Sequence, residues 1–288
     1  MIVDIPNEKE FFQAGIDYFN MAWDSAIDIF TTIVEFSETM DDVGYLRSSQ
    51  RKLESSLALV QQGVELILKG KIVEISPYLL IANKPDSWPK GCAQNDTRFA
   101  EFRTIDAQDL VKVVNSVHSE KLSPNFIQLF NSLRVKRNQV MHSVGSAETL
   151  QPIEVIEQIL ELSNYLIPQK SWLHLRRCYQ DNQFDNYLTE LNYQDKEMEA
   201  FGLGNLQMEI SYLLDALSPS MVKKHFDFDK KKNRFLCANC HELRLNEAFY
   251  KLRDEELLHL KSAYWLDRAN GKALCLYCRE KASEYIEE

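Results

Sequence analysis

The sequence contains no apolar run approaching the length of a membrane span, no excess of basic residues, no internal repeat and no low-complexity tract. Each absence removes a class of protein. A spanning helix needs about 20 mostly apolar residues, so a membrane-embedded chain is not expected. Lys and Arg number 33 against 43 Asp and Glu, a net charge of -10. A protein that coats duplex nucleic acid must neutralise many phosphates with cations, and this balance argues against one while leaving room for a small basic site. The opening MIVDIPNEKEFF has acidic residues at once and no apolar stretch behind a basic start, which argues against a secretory signal. The chain is therefore expected to be soluble and cytoplasmic. Its 288 residues and 45% hydrophobic content suffice for a core in one large domain or two modest ones.

The apolar residues that are present recur with helical spacing. From Glu8 to about Met40 they fall at Phe12, Ile16, Phe19, Trp23, Ile27, Phe30 and Ile33, every three or four positions, as one face of a helix requires. A second helix is expected from about Val43 to Lys69, with a bend at Gly70 and an end or kink at Pro77. Residues 83 to 97, NKPDSWPKGCAQNDT, collect Pro, Gly, Asn and Asp and read as a loop. Thr104 can then cap a helix through LVKVVNSV, with Asp106 and Asp109 suited to its first turn. Pro124 opens another, with Phe126, Ile127, Phe130, Leu133, Val140 and Met141 as its apolar positions, and a further helix covers about Pro152 to Ile167. The reading is mainly α: a helical bundle over residues 1–167, a weaker helical connector over 168–217 interrupted by the turn-like FGLGN, and a small carboxy-terminal α+β module over 218–288. The lysines Lys230 to Lys232 stand ahead of that module, as a solvated linker or a contact for phosphates.

Four of six cysteines form two knuckles, Cys237-x-x-Cys240 and Cys275-x-x-Cys278, with 34 residues between them. A CxxC turn sets two thiolates on one side of a tight bend, and two such turns make the tetrahedral four-sulfur site that zinc prefers. Disulfides are disfavoured because nothing marks the chain as secreted. A site closed by four thiolates has no open position, so the zinc is expected to be structural, with His241 and His259 outside it. The gap is long enough for a helix drawn from RDEELLHLKSAYWLDR. The stretch FLCANCHELRLNEAFYK resembles zinc-binding treble-clef modules, with Phe249 and Tyr250 as the aromatic pair that follows the first knuckle. Some relatives of such modules are HNH nucleases, but no His-Asn-His centre follows these cysteines. Cys92 and Cys178 read as free thiols, and His118 and His174 have no functional company.

The helix opened by Pro124 carries RVKRNQVMHS, Arg134 to Ser143, where two arginines, an asparagine and a histidine interrupt the apolar pattern. At about 100° per residue, Asn138 and His142 lie about 40° apart and Arg134 one turn before Asn138. The three form a polar stripe, with Arg137 able to reach it from the flank. Such a set suits cleavage of a phosphodiester. Imidazole moves a proton near neutral pH and guanidinium holds phosphate through paired hydrogen bonds. Lys136 is a further candidate for substrate binding, and Arg134, Lys136 and Arg137 are expected to cluster at one cleft.

Arg137 to His142, RNQVMH, resembles the Arg-x4-His motif of the HEPN superfamily (higher eukaryotes and prokaryotes nucleotide-binding domain), including the Asn that often follows the Arg. Ala58 to Ile72, ALVQQGVELILKGKI, resembles the second long helix of that fold through its Glu-Leu-x-Leu-Lys pattern. The resemblance covers about residues 8–167. It implies a metal-independent endoribonuclease that pairs with a second copy, so that both motifs face one cleft and the ribose 2'-hydroxyl attacks the adjacent phosphate to leave a 2',3'-cyclic phosphate. Arg137 would then hold phosphate or its transition-state charge, His142 would transfer a proton or orient the scissile group, and Asn138 would support them. Zinc would not be required for catalysis. Members commonly act as toxins or phage-defence effectors, which makes an antitoxin or sensor a candidate partner without identifying one. One branch continues His-x-Tyr with a modified Tyr, whereas here Ser143 and Val144 follow His142, which argues against that mode of control. The competing expectations are a non-catalytic interaction protein whose zinc module binds nucleic acid or a partner, and a metal-dependent DNA nuclease centred on the zinc module.

Overall fold

Two long antiparallel helices lay down the frame of the amino-terminal half. The structure, a computed structural model, describes residues 1–82, 84–142, 149–168, 171–180, 195–231, 236–238, 263–267, 272–277, 281–282 and 285–286. Helix α1, Glu8–Phe36, begins at Asn7, whose side chain accepts from the Glu10 amide while the Glu10 carboxylate accepts from the Asn7 amide. This reciprocal box satisfies two backbone donors that a helix start leaves without partners. Helix α2, Asp42–Ile75, is capped by Asp41, which accepts from the Gly44 amide. Phe19, Ala22, Trp23 and Ala26 of α1 are buried, as are Leu57, Val60, Val64, Ile67 and Leu68 of α2.

The bend expected at Gly70 is absent, and α2 runs through it without interruption. A β-carbon there would stand 3.2 Å from Phe11 Cβ and 3.3 Å from the Glu8 carbonyl. Gly70 therefore admits the start of α1 and breaks nothing. The crossing is tighter still further down, where a β-carbon on Gly63 would lie 2.8 Å from the Gly15 carbonyl and 2.6 Å from the Phe19 ring.

Around α2 the remaining helices of this unit assemble: α3 (Ala107–Val117), α4 (Pro124–His142) and α5 (Pro152–Leu166) all pack against it. Between α2 and α3 lie short 3-10 turns and the two-residue strand β2 (Thr97–Arg98), which pairs in parallel with β1 (Ile2–Val3) ahead of α1. Thr104 does not cap α3. It bridges Ile81 and accepts from Lys69 Nζ at 3.1 Å, and the capping position falls to Asp106. Gln50 on α2 closes the bundle from the other side, because its amide donates to the Leu150 carbonyl at 3.0 Å and accepts from the Leu150 amide at 2.8 Å. One side chain thus imitates a strand neighbour and fixes the entry to α5.

On α5, Glu157 stands between Glu154 and Glu161, one turn to either side. Burial raises its carboxyl above the ordinary 4.5, and the two like charges raise it further. A raised carboxyl favours the protonated folded state, so its contribution to stability is full below the ordinary value and is lost as pH rises through the raised one. Glu157→Gln is accordingly expected to increase the thermal midpoint at pH 7. The gap between variant and parent, followed by circular dichroism, should close as pH is lowered through the carboxylate range.

The chain forms two compact units, Met1–Leu166 and Ile167–Glu288. In the second unit residues 172–180 are helical (α6), followed by α7 (Asp195–Ala216) and α8 (Pro219–Phe226). The turn expected at FGLGN is instead part of α7. Glycine in a helix interior costs up to about 1 kcal/mol relative to alanine, an amount that packing of Leu206, Ile210, Leu213 and Leu214, all buried, can outweigh. Lys230 does not belong to a solvated run, since its Nζ donates to the Leu217 carbonyl at 2.9 Å and the Asp215 carbonyl at 3.3 Å. It closes the end of α7, where a cation is favoured.

Short strands complete this unit: β3 (Leu236–Cys237) pairs with β7 (Tyr285–Ile286), and β4 (Ala263–Asp267), β5 (Lys272–Cys275) and β6 (Lys281–Ala282) form an antiparallel sheet. The expected helix in RDEELLHLKSAYWLDR is replaced over Ala263–Asp267 by strand β4. The described chain is mainly α, and among the described residues no helix is long and apolar enough to cross a membrane.

Candidate functional site

Helix α4 begins where the Ser123 hydroxyl accepts from the Phe126 amide, with Pro124 preset for the first turn. Phe126, Phe130 and Leu133 are 1–2% exposed and drive one stripe of α4 into the bundle. Phe126 stacks on Phe130 at 6.1 Å, and Tyr165 of α5 meets Phe126 edge-on. Continuing that stripe, Arg134 and Arg137 fall within roughly 40° of Phe130, and Asn138 about 80° from it. The arginines therefore emerge where the apolar seam ends.

There a cleft of about 240 Å³ opens. Helix α4 lines it with Arg134, Arg137 and Asn138, α2 with Gln61 and Glu65, and the start of α3 with Asp106 and Gln108. Ligand pockets span roughly 300–1,000 Å³, so this one has room for a phosphate with part of its sugar and not for a length of polymer. Arg137 Nη1 donates to Asn138 Oδ1 at 3.1 Å, while Arg134 lies over the Phe130 ring at 5.8 Å and reaches Asn131 Oδ1 at 3.5 Å. Among the described residues neither arginine is in an ion pair. Asp106 is held by both oxygens against Arg103 Nη2, at 3.1 and 2.9 Å.

The structure thus brings Arg134, Arg137 and Asn138 together. Lys136 does not join them: it lies about 120° round the helix from Phe130, beside the exposed Val135. The basic cluster expected from the sequence is a pair of arginines faced by two carboxylates. His142 is the last residue of α4, about 40° from Asn138 in helical phase; its side chain lies outside the described residues. Sequence reasoning missed Gln61, Glu65 and Gln108, and read Asp106 only as a helix-start residue. Gln61 left a signal, because it occupies a core position in the Leu57, Val64, Leu68 stripe and is only 2% exposed.

Cys237 ends β3 and Cys275 ends β5, both buried, and Leu276 and Tyr277 make a turn directly after Cys275. A strand that delivers a buried thiol into a tight turn, as β5 does with Cys275, is the local form a zinc knuckle uses; among the described residues no group of three or more potential metal ligands comes together. Cys240 and Cys278, the second thiol of each pair, lie outside the described residues, as do His241, His259, Phe249 and Tyr250. Tyr277 Oη donates to the Gln207 carbonyl at 3.4 Å, which anchors the turn after Cys275 on α7. Cys92 lies in a loop, and exposed Cys178 on α6 stands 3.7 Å from His174 Nε2. His118 reaches the Lys71 carbonyl at 2.6 Å, a role within the bundle.

No protein-family model matches the chain, and no curated protein or solved structure does.

Proposed function

We propose that the chain is a metal-independent endoribonuclease of HEPN type, acting as a homodimer and serving as a toxin or phage-defence effector under the restraint of a partner. The observation that carries this reading is the opening of Arg134, Arg137 and Asn138 onto one small cleft, with neither guanidinium committed to a carboxylate among the described residues. Guanidinium groups left in that state are suited to a phosphate. In the reaction the ribose 2'-oxygen attacks the adjacent phosphorus, the bond to the 5'-oxygen breaks, and that oxygen leaves with a proton. The products are a 2',3'-cyclic phosphate and a 5'-hydroxyl. Arg137 offsets the charge that gathers on the phosphoryl oxygens, Arg134 and Asn138 orient the group, and His142 transfers a proton. A second copy supplies the same residues across the cleft.

In the carboxy-terminal unit, Cys237, Cys240, Cys275 and Cys278 hold one structural zinc ion, which supplies cross-linking and no chemistry. Reduced protein should carry one zinc per chain by metal analysis. The decisive test is cleavage of single-stranded RNA in excess EDTA. Wild-type protein is expected to cleave, and His142→Ala to lose at least a hundredfold in rate, the loss typical of removing one proton-transfer group, with fold and dimer unchanged. Equal activity in the variant would eliminate the ribonuclease reading and leave a non-catalytic interaction protein. Cleavage stopped by chelator and indifferent to His142 would assign the activity to a metal centre.

A further inference from the structure

The α2 wall of the cleft contains an arrangement that the packing of the bundle does not require. Gln61 occupies a core position, flanked along its stripe by Leu57 and Val64, and is 2% exposed. Its Nε2 donates to Glu65 Oε1 at 3.0 Å, whereas its Oε1 is buried with no hydrogen-bond partner. A lone buried acceptor destabilises a fold, and an apolar residue of the same shape would remove that cost. What the glutamine gains in this conformation is the placement of the Glu65 carboxylate.

Glu65 is half-buried and lines the cleft. Lys69, one turn later and in position for an ion pair with it, donates instead to Thr104 Oγ1 at 3.1 Å. Arg134 and Arg137 line the same cleft, yet no ion pair joins either to Glu65. The cleft therefore presents charged donors from α4 and a charged acceptor from α2, each still able to bind. A ligand that matches both is anionic at one end and carries a hydrogen-bond donor a few atoms away. A phosphate with its neighbouring ribose hydroxyl has that form, and the 2'-hydroxyl is the donor that deoxyribose lacks.

We infer that Glu65, held in place by Gln61, is the residue that selects ribose, its carboxylate accepting a hydrogen bond from the 2'-hydroxyl of a nucleotide whose phosphate lies on Arg134 and Arg137. This rests on the ribonuclease reading and adds to it the basis for choosing RNA over DNA. Glu65 is the specificity-determining group and Gln61 a positioning residue.

The test measures binding of single-stranded ribo- and deoxyribo-oligonucleotides of one sequence by fluorescence anisotropy, in EDTA, with the full chain carrying His142→Ala so that RNA stays intact. The readout is the ratio of the two affinities, because removing a negative charge shifts both together. The parent is expected to prefer RNA by about tenfold to a hundredfold, the range for a hydrogen bond to a charged group. Glu65→Ala should bring that ratio close to one, and Glu65→Gln, which keeps the shape and a neutral acceptor, should lower it severalfold. Gln61→Met should lower it as well while leaving the thermal midpoint unchanged or higher. A ratio that survives all three substitutions overturns the inference. If the wild-type protein also cleaves RNA, the ribonuclease reading stands and only the role of Glu65 falls; if neither oligonucleotide binds, both fall together.

Discussion

Gly63→Val is expected to abolish cooperative folding of the amino-terminal unit, and Gly63→Ala to cost about 3 kcal/mol, the upper part of the range for overpacking a tight core. At this crossing α1 and α2 meet backbone to backbone. A β-carbon on Gly63 would stand 2.6 and 2.7 Å from two atoms of the Phe19 ring and 2.8 Å from the Gly15 carbonyl. Phe19 is fully buried, so its ring has no vacant space to enter, and Gly15 meets the mirror constraint, a β-carbon there lying 2.8 Å from the Gly63 carbonyl. Relief requires the helices to separate, which would loosen Trp23, Val60 and Ile67 along the whole interface. Urea denaturation followed by circular dichroism checks the result. For a unit of this size the alanine variant should also lose roughly 6–12 °C in thermal midpoint. A variant as stable as the parent would show that the two helices can move apart at little cost.

Glu209→Ala is the second large effect expected, at about 3–5 kcal/mol in the carboxy-terminal unit. Arg176 of α6 is 3% exposed and donates to Glu209 of α7 through Nε at 3.1 Å and Nη2 at 2.7 Å, and Gln180 Nε2 adds a third bond at 3.0 Å. The geometry is the planar fork that suits guanidinium and carboxylate. Removing the carboxylate takes from a buried cation the countercharge and two hydrogen bonds that Glu209 supplies, which costs more than the intact pair contributes. The double variant Arg176→Met with Glu209→Leu is therefore expected to lie within about 1 kcal/mol of the parent. A denaturant series on the full chain distinguishes the two outcomes. Equal losses in the single and double variants would mean that the pair itself stabilises the unit and that the buried charge is not the cause.

Much of the helical frame was legible because its signals are local. The spacing of Phe19, Trp23 and Ile27 and the apolar positions that recur from Leu53 to Leu68 define α1 and α2 without reference to anything distant. The errors fell where a local signal gave way to tertiary contact. Gly70 and the glycines of FGLGN have the chemistry of helix breaks, yet both helices continue through them. Thr104 has the chemistry of a cap, but Lys69 and Ile81 claim it first. Ala263–Asp267 has apolar residues suited to either helix or strand, and pairing with β5 decides for strand.

The cleft divides in the same way. Arg134, Arg137 and Asn138 could be grouped from helical phase on a single element, and that phase also separates Lys136 from them. Gln61, Glu65 and Asp106 come from other helices, and periodicity along α4 says nothing of what faces it. Gln61 alone was detectable from sequence, as an amide in a stripe of leucine and valine. Its meaning became apparent only with Glu65 beside it and the arginines opposite.

The clamp between Gln50 and Leu150 bears on the order in which the amino-terminal unit assembles. Helices α1 and α2 are neighbours along the chain and can pair early, whereas the two clamp bonds close a span of 100 residues, whose loop entropy must be overcome before they contribute. Docking of α5 is thus a late event. A growing chain released before Leu166 has its hairpin but lacks the helix that packs against α1, and the apolar face left bare is one that a chaperone or another nascent chain would bind.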